Sequence, residues 1–490
     1  MKATLDQALT LHRAGQTADA ERCYEEVIAA DSDSVAARHG LGVLLLQTGR
    51  PTQALTHLNF AAERQSGDAG VLNALGAAQM QTGDDAGALQ SFQAAIVLDP
   101  NHGLAAANLG VILLWINDPL AAAEMLERAL KTDPGNVEAQ YNYSRALSAA
   151  GSKAEALDVA RQVTTVSPEH AAAHHHLGQI LLQSGHLAEG WPAFEWRWKT
   201  EEFRHATAIM DVPLWDGHPL SDGALLLWAE QGVGDQILYS SMISETEEMT
   251  SRILIACMER LVPVFARSFP FADVQAIEEL TNDQTTMQSL AAQLPVGNLG
   301  RLLRPAMTSF PDRQSYLIAD LPSTEVLKKR YRHDKQDRPV IGLSWRSNNP
   351  RFSLAKSMEL AELAGAFVDT EATFVDLQYG DTTVDREVAR QNGFDVYNDP
   401  DVDSLTDLDG FVSQVAAMDM VVTTSNTTAH IAGALGVQCW VLVPAGAGGF
   451  WYWFLDRDDS PWYPSLRLFR QVTPGVWADT INDVRAALAQ

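Results

Sequence analysis

The sequence predicts an α + α/β chain: an N-terminal α-solenoid followed by two Rossmann-like subdomains. Three observations carry that expectation. The first 204 residues keep a strict 34-residue register. Beyond a linker, "IMDVPLWDGHPLSDG", short β-rich apolar runs alternate with helical stretches. Two of those runs end in glycine- or serine-marked turns, at 230–235 and 344–349, far apart in the chain. Alternation of strand and helix means parallel sheets flanked by helices, and ligands then gather at the carboxyl ends of the strands.

The repeat is legible position by position. Position 8 of each 34-residue line holds Ala8, Gly42, Gly76, Gly110, Ser144 and Gly178. Position 20 holds Ala20, Ala54, Ala88, Ala122, Ala156 and Gly190. Small residues at both places let two antiparallel helices approach closely, while large side chains fill position 24 as Tyr24, Leu58, Phe92, Leu126 and Phe194. Glycines at position 15 (Gly15, Gly49, Gly83, Gly151 and Gly185) turn the chain between the helices, and Pro100, Pro134 and Pro168 stop the second helix. Six consecutive units in one register form the pattern of tetratricopeptide repeats over residues 1–204. Such an array curls so that the first helix of each pair lines a concave face suited to a peptide. Asn108 and Asn142, with Asn73 one position away, fall on that face, where amides that both donate and accept suit a peptide backbone. The sixth unit ends in "EGWPAFEWRW", an aromatic-rich stretch expected to cap the array by docking on the next domain. Adjacent residues on a helix point about 100° apart, so His174, His175 and His176 do not make a metal site.

Composition narrows the function classes. The 490-residue chain carries 35 Lys+Arg against 62 Asp+Glu, a formal net charge of −27 shared by both halves. Nucleic acid and anionic membrane both require a positive surface, so neither is an expected partner. The three cysteines are scattered in apolar contexts and read as reduced core residues, and no run approaches a membrane span. A cytoplasmic protein is the default expectation.

In the α/β region a break, "KKRYRHDKQDRP", separates a subdomain over 205–335 from one over 336–490. The first opens with "LLLWAEQGVGDQILYSS", an apolar run, then Gly232, Gly234 and Asp235, then an amphipathic stretch. The second offers three segments to a shared cleft. "GLSWRSNNPRFSLAKS" supplies Ser344, Arg346, Ser347, Asn348 and Lys356; "FVDLQYGD" supplies Gln378, Tyr379 and Gly380. "VVTTSNTTAHIAGALG" places Ser425, Asn426, Thr427, Thr428 and His430 around a helix N-terminus, where free amides and the dipole favour an anion. The aromatic cluster Phe450, Trp451, Tyr452, Trp453, Trp462 and Tyr463 is expected in the core, with stacking on a sugar as its other use.

These segments resemble glycosyltransferases of the GT-B fold, in particular bacterial proteins that join tetratricopeptide repeats to a heptosyltransferase-like domain, flagellin glycosyltransferases among them. The marks are "PLWDG" at 213–217, "AEQGVGDQI" at 229–237, "AHIAGALG" at 429–436 and "DSPWYPSLRLFRQ" at 459–471. The resemblance implies metal-independent transfer of a sugar from a nucleotide donor to a protein hydroxyl, with no cofactor beyond the nucleotide sugar. It implies Asp235 as the base, with Gly232 and Gly234 on the acceptor side. It places Lys356 on donor phosphate, with the 425–430 turn, Ser344, Arg346, Ser347 and Gln378 around the donor. The family's "D-T-x-x-A-H" turn here reads Ser425, Asn426, Thr427, Thr428, Ala429, His430, so a negative charge is missing and the donor is either a UDP sugar or a CMP-linked nonulosonic acid. Flagellin is the implied acceptor. The rival readings are an interaction scaffold with a degenerate transferase domain, which Ser425 favours, and a transferase acting on lipopolysaccharide or another glycan.

Overall fold

The structure, a computed structural model, describes residues 4–204, 212–280, 282–332, 338–347 and 353–489. The chain divides into two compact units, Met1–Pro168 and Glu169–Gln490.

The first unit is a run of helix pairs: α1 (Leu5–Arg13) with α2 (Thr17–Ala30), α3 (Val35–Gln47) with α4 (Pro51–Arg64), α5 (Ala69–Gln81) with α6 (Asp85–Leu98), α7 (Gly103–Trp115) with α8 (Pro119–Thr132), and α9 (Val137–Ala149) with α10 (Lys153–Val166). The small residues at position 8 face the large ones at position 24. A Cβ on Gly42 would lie 2.5 Å from Leu58, one on Gly76 2.7 Å from Phe92, and one on Gly110 2.5 Å from Leu126. In the fifth pair the partners are Ser144 and Ala160, and the Ser144 hydroxyl donates to the Ala156 carbonyl at 2.7 Å instead. The inter-helix turns take a positive φ at Gly15, Gly49, Gly83 and Gly151, and in the fourth pair at Asn117, with φ of 62°. Asparagine is among the few residues that visit this region readily.

The sixth pair, α11 (Ala171–Gln183) and α12 (Leu187–Phe194), belongs to the second unit. The compact division therefore falls one repeat earlier than the expected boundary at 204, which adjoins residues outside the described ones, and the expected boundary at 335/336 lies outside the described residues. The physical reason is the aromatic end of this pair. The Trp191 indole donates to the Arg304 carbonyl at 2.8 Å, Trp191 packs edge-on to Trp451 at 5.3 Å, and the Gln183 amide donates to the Gly449 carbonyl at 3.0 Å.

The rest of the second unit holds two all-parallel sheets. The first comprises β1 (Ala224–Trp228), β2 (Ile253–Cys257), β3 (Ala272–Ala276) and β4 (Leu290–Pro295), in the order β3-β2-β1-β4. The second comprises β5 (Val340–Ser344), β6 (Thr373–Asp376), β7 (Met420–Thr424), β8 (Cys439–Val443) and β9 (Leu466–Arg470), in the order β6-β5-β7-β8-β9. Strands β1, β2, β5, β7 and β8 are buried along their whole length, as sheets covered on both faces require. Strand order reverses beside β1 in one sheet and between β5 and β7 in the other, which is where doubly wound sheets leave a crevice for ligands. The 450–463 aromatics are core: Trp451, Tyr452, Trp453, Trp462 and Tyr463 are all buried.

Candidate functional site

The three reversal strands each deliver a turn to the same place. After β1, Glu230 and Gln231 lead into Gly232, the N-cap of a helix over Val233–Ser240. Gln231 has φ of 62°. Asp235 occupies the third position of that helix, and its carboxylate accepts the Gly232 N–H at 3.3 Å. After β7, Asn426 caps a helix over Thr427–Leu435 by accepting the Thr428 N–H at 3.0 Å. The two helices pack on one another. A Cβ on Gly234 would stand 3.0 Å from His430 Cδ2 and 3.7 Å from Thr427 Oγ1. That approach accounts for Gly234 in "QGVGDQ": a side chain there would crowd the buried His430 ring.

Lys356 joins them. It is 5% exposed, its ammonium lies 3.7 Å from the centre of the Phe450 ring, and among the described residues it has no carboxylate partner at ion-pair distance. Burial pulls its amine down to about 7, with the Asp235 carboxylate pulling the other way. Asp235 shows the mirror effect: desolvation raises its carboxyl to about 6, against the Gly232 N–H and the Lys356 charge that lower it. Burial thus brings a carboxylate and an amine, from opposite directions, into the range around neutral pH.

The remaining expected donor residues fall into two groups. Ser344, Gln378 and Asn426 are spent on one another. The Gln378 side-chain oxygen accepts from the Ser344 hydroxyl at 3.1 Å, the Trp345 N–H at 2.9 Å and the Arg346 N–H at 2.7 Å. The Asn426 amide donates to Ser344 Oγ at 2.8 Å and to the Arg346 carbonyl at 3.1 Å. These three side chains therefore tie the ends of β5, β6 and β7 together rather than reaching out to a ligand. Arg346 pairs with Asp385 at 2.9 Å, and the Ser347 N–H donates to the Ser357 hydroxyl at 3.1 Å. Asn348 lies outside the described residues. Thr427 remains at the front of its helix, half-buried, while Thr428 and His430 are buried behind it.

His430, expected in the turn around the donor, is tied into the aromatic core as a neutral group. Its Nδ1 shares a hydrogen bond with the Tyr463 hydroxyl at 2.8 Å, and its ring stacks on Trp453. Burial, reinforced by the Lys356 charge, lowers it to about 3, so the imidazole is neutral. Ser425 accepts the Trp453 indole N–H at 2.8 Å. Sequence reasoning did not foresee Trp453 and Tyr463 as the supports of this turn; the aromatic run was visible, but its pairing with His430 and Ser425 is a long-range contact.

Glu230 is not free to act as a base. It is buried against Arg197, with its oxygens 2.6 and 2.9 Å from the guanidinium, and it also accepts the Gly297 N–H at 3.1 Å. In the first unit, the Asn108 amide donates to Asn73 at 2.9 Å, joining successive repeats. Asn142 does not extend that ladder: it donates to the Glu138 carbonyl and accepts from Arg145 within its own helix. His174 stacks on Trp196 at 4.0 Å, and His175 packs edge-on to Phe194 and Phe203.

Comparison with known proteins bears on the two regions unequally. Tetratricopeptide-repeat models match residues 5–69, 44–103 and 117–164. The helix pairs of the first unit are tetratricopeptide repeats. The protein named FlbA from Caulobacter vibrioides is 28% identical over 330 residues, 63% of this chain and 53% of that protein. The chain thus spans about half of that relative's length. An alignment over 63% of the chain is longer than the repeats, so it runs on into the sheet-bearing region. Among solved structures, MamA is 23% identical over 34% of this chain and 91% of its own, with a TM-score of 0.30. YrrB, a TPR protein described with an unusual peptide-binding site, is 20% identical over 37% of this chain and 96% of its own, with a TM-score of 0.32.

Proposed function

We propose that the chain is a protein O-glycosyltransferase, in which the repeats recruit a protein acceptor and the paired parallel sheets, as a GT-B domain, transfer a sugar from a nucleotide donor to a Ser or Thr hydroxyl. The observation that carries the reading is the convergence of Asp235, Lys356 and the Thr427 helix start from two reversal points of two parallel sheets. An anion binds favourably at a helix N-terminus beside a buried amine. A hydroxyl placed beside Asp235 has a carboxylate ready to take its proton.

In the reaction, the acceptor oxygen attacks the anomeric carbon of the sugar while Asp235 takes the hydroxyl proton. The bond from the anomeric carbon to the phosphate oxygen breaks, and the nucleotide leaves with the electron pair. Its developing charge is met by Lys356 and the first amide of the Thr427 helix. His430 offers a neutral imidazole and a fixed wall. The donor is a UDP sugar or a CMP-linked nonulosonic acid, and flagellin is the first acceptor to try.

The test is intact-mass analysis of flagellin and other candidate acceptors incubated with the full chain and a panel of those donors. A mass increase of one sugar that disappears with Asp235→Asn supports the reading. No increase with any donor, together with no donor binding by calorimetry, overturns it in favour of an interaction scaffold.

A further inference from the structure

The sixth helix pair reaches the candidate site through a buried ion pair. Arg197 lies in the turn Glu195–Lys199 that follows α12, and its side chain is fully buried. One guanidinium nitrogen donates to Glu230 at 2.9 Å, and another donates both to Glu230 at 2.6 Å and to the Asn298 side-chain oxygen at 2.7 Å. Trp198 donates to the same Asn298 oxygen at 3.2 Å. A Cβ on Gly297 would stand 2.4 Å from Glu230, so the carboxylate is boxed on that side as well.

What Glu230 is attached to gives the pair its meaning. The next residue, Gln231, sits at φ of 62°, where side chains are strained, and the one after it caps the helix that carries Asp235. Such a conformation persists only when its surroundings hold both ends. On the strand side the Ala229 N–H donates to the Ala256 carbonyl at 2.7 Å. On the helix side the Gln236 N–H donates to the Gly232 carbonyl at 3.0 Å and its side chain to the Gln231 carbonyl at 3.3 Å. Between those anchors the charged grip is Arg197 on Glu230. A buried ion pair contributes little net stability compared with apolar residues of the same volume, but it fixes geometry in two directions at once.

We infer that Arg197 is a positioning residue: through Glu230 it sets the Gln231–Asp235 turn, so that the sixth repeat is part of the catalytic unit and not of the recruiting array. The inference rests on the transferase reading of Asp235. Around that carboxylate stand Glu230 from its own strand end, Tyr239 from its own helix, Lys356 from the facing segment, His430 beside Gly234, and Tyr452 and Tyr463 from the aromatic run. Burial holds the Asp235 carboxyl up, and the Glu230 charge adds to it. Neutralising Glu230 lowers the pH at which Asp235 becomes a base, and hydration of a loosened turn acts in the same direction, so exchange and turnover are read beside the pH profile.

The experiment uses the full chain with Arg197→Met and Glu230→Gln together, which removes both charges and leaves a side-chain oxygen to accept the Gly297 N–H. Arg197→Lys, which keeps both charges but gives up the two-pronged grip on Glu230, serves for the exchange and kcat readouts if the double variant does not fold. Two quantities are read: hydrogen–deuterium exchange of the peptide covering 229–240, and the pH dependence of kcat with the donor and acceptor found active for wild type. The expected result is a near-normal melting curve, faster exchange in that peptide, kcat reduced by at least about tenfold, and an acid limb moved to lower pH. A folded variant with wild-type exchange overturns the positioning, and so does one with wild-type kcat and an unmoved acid limb. Faster exchange in a protein whose wild type transfers no sugar overturns the transferase reading instead, while leaving Arg197 as the residue that sets the turn.

Discussion

At the scale of single residues, the site is defined by two groups that burial pushes toward neutrality from opposite sides. Asp235 rises to about 6 and Lys356 falls to about 7. In the proposed transfer, Asp235 acts ionised and Lys356 protonated, so kcat/KM of the free enzyme should follow a narrow bell with limbs near those two values. Bound donor phosphate stabilises the ammonium, so the basic limb of kcat itself should move upward; a pH–rate series in both quantities checks this. The same shift has a stability sign. A carboxyl raised in the folded state binds its proton more tightly than in the unfolded chain, so its contribution falls as pH rises through the window from the unfolded value, about 3.9, to about 6. Above that window the full cost of an ionised, half-buried carboxylate remains. Asp235→Asn keeps an acceptor for the Gly232 N–H and removes the charge. At pH 8, where Lys356 is mostly neutral, it should therefore raise stability, on the order of 1 kcal/mol after allowance for partial exposure. It should also reduce turnover by about 10²–10⁴-fold. Denaturant melts at pH 8 and at pH 4 separate the effects, because the gain should vanish at pH 4, where the carboxyl is already protonated.

At the scale of elements, the repeats were the most legible part of the chain, because each helix pair solves the same packing problem with local residues. Gly42 against Leu58 and Gly110 against Leu126 are the pairs that the 34-residue register announced. The exception is as informative as the rule. The fourth turn carries Asn117 where its neighbours have glycine, at φ of 62°, and the Asn117 side-chain oxygen is buried without a hydrogen-bond partner among the described residues. Asn117→Gly relieves both the backbone strain and the orphaned acceptor, so it should stabilise the first unit by about 0.5–1 kcal/mol in urea melts. Asn117→Ala should destabilise it, because alanine tolerates that φ less well. In the sheet region the long apolar runs β1, β2, β5, β7 and β8 were equally plain, whereas β4 and β9 were not. β4 begins Leu290, Ala291, Ala292, Gln293, a helical composition that becomes a strand only because β1 offers it a parallel edge. β9 alternates Leu466, Leu468 with Arg467 and reads as a strand only once β8 is beside it. The candidate site divides the same way. The Asp235 and 425–430 turns could be found from their residues. That Gln378 and Asn426 would bind Ser344 and the Arg346 backbone, that His430 would be neutral, and that Glu230 would be held by Arg197 depended on contacts between segments roughly 30 to 80 residues apart.

At the scale of the whole molecule, the proposed function raises the question of where a recruiting array would end and a transferase unit begin. The repeat register places that point after residue 204, but packing places it after Pro168. The sixth pair contributes Leu182, Leu187, Trp191 and Phe194 to the same core as β1, β2 and the aromatics at 451–463. It also supplies Arg197, the cation that neutralises Glu230. Removing residues 1–168 leaves that core intact, so a chain beginning at 169 should fold, bind donor with close to full-length affinity, and lose only acceptor recruitment, seen as a raised KM for the protein acceptor. Removing residues 1–204 strips the core of those four side chains and leaves Glu230 buried without its cation. Loss of one partner of a buried pair alone costs about 3–5 kcal/mol, and each large core side chain removed adds a comparable amount. Together these exceed the stability of an ordinary domain. The chain beginning at 205 should therefore be recovered as aggregate or unfolded protein. If it is folded by circular dichroism and binds donor as tightly as the chain beginning at 169, the sixth pair belongs to the recruiting array after all.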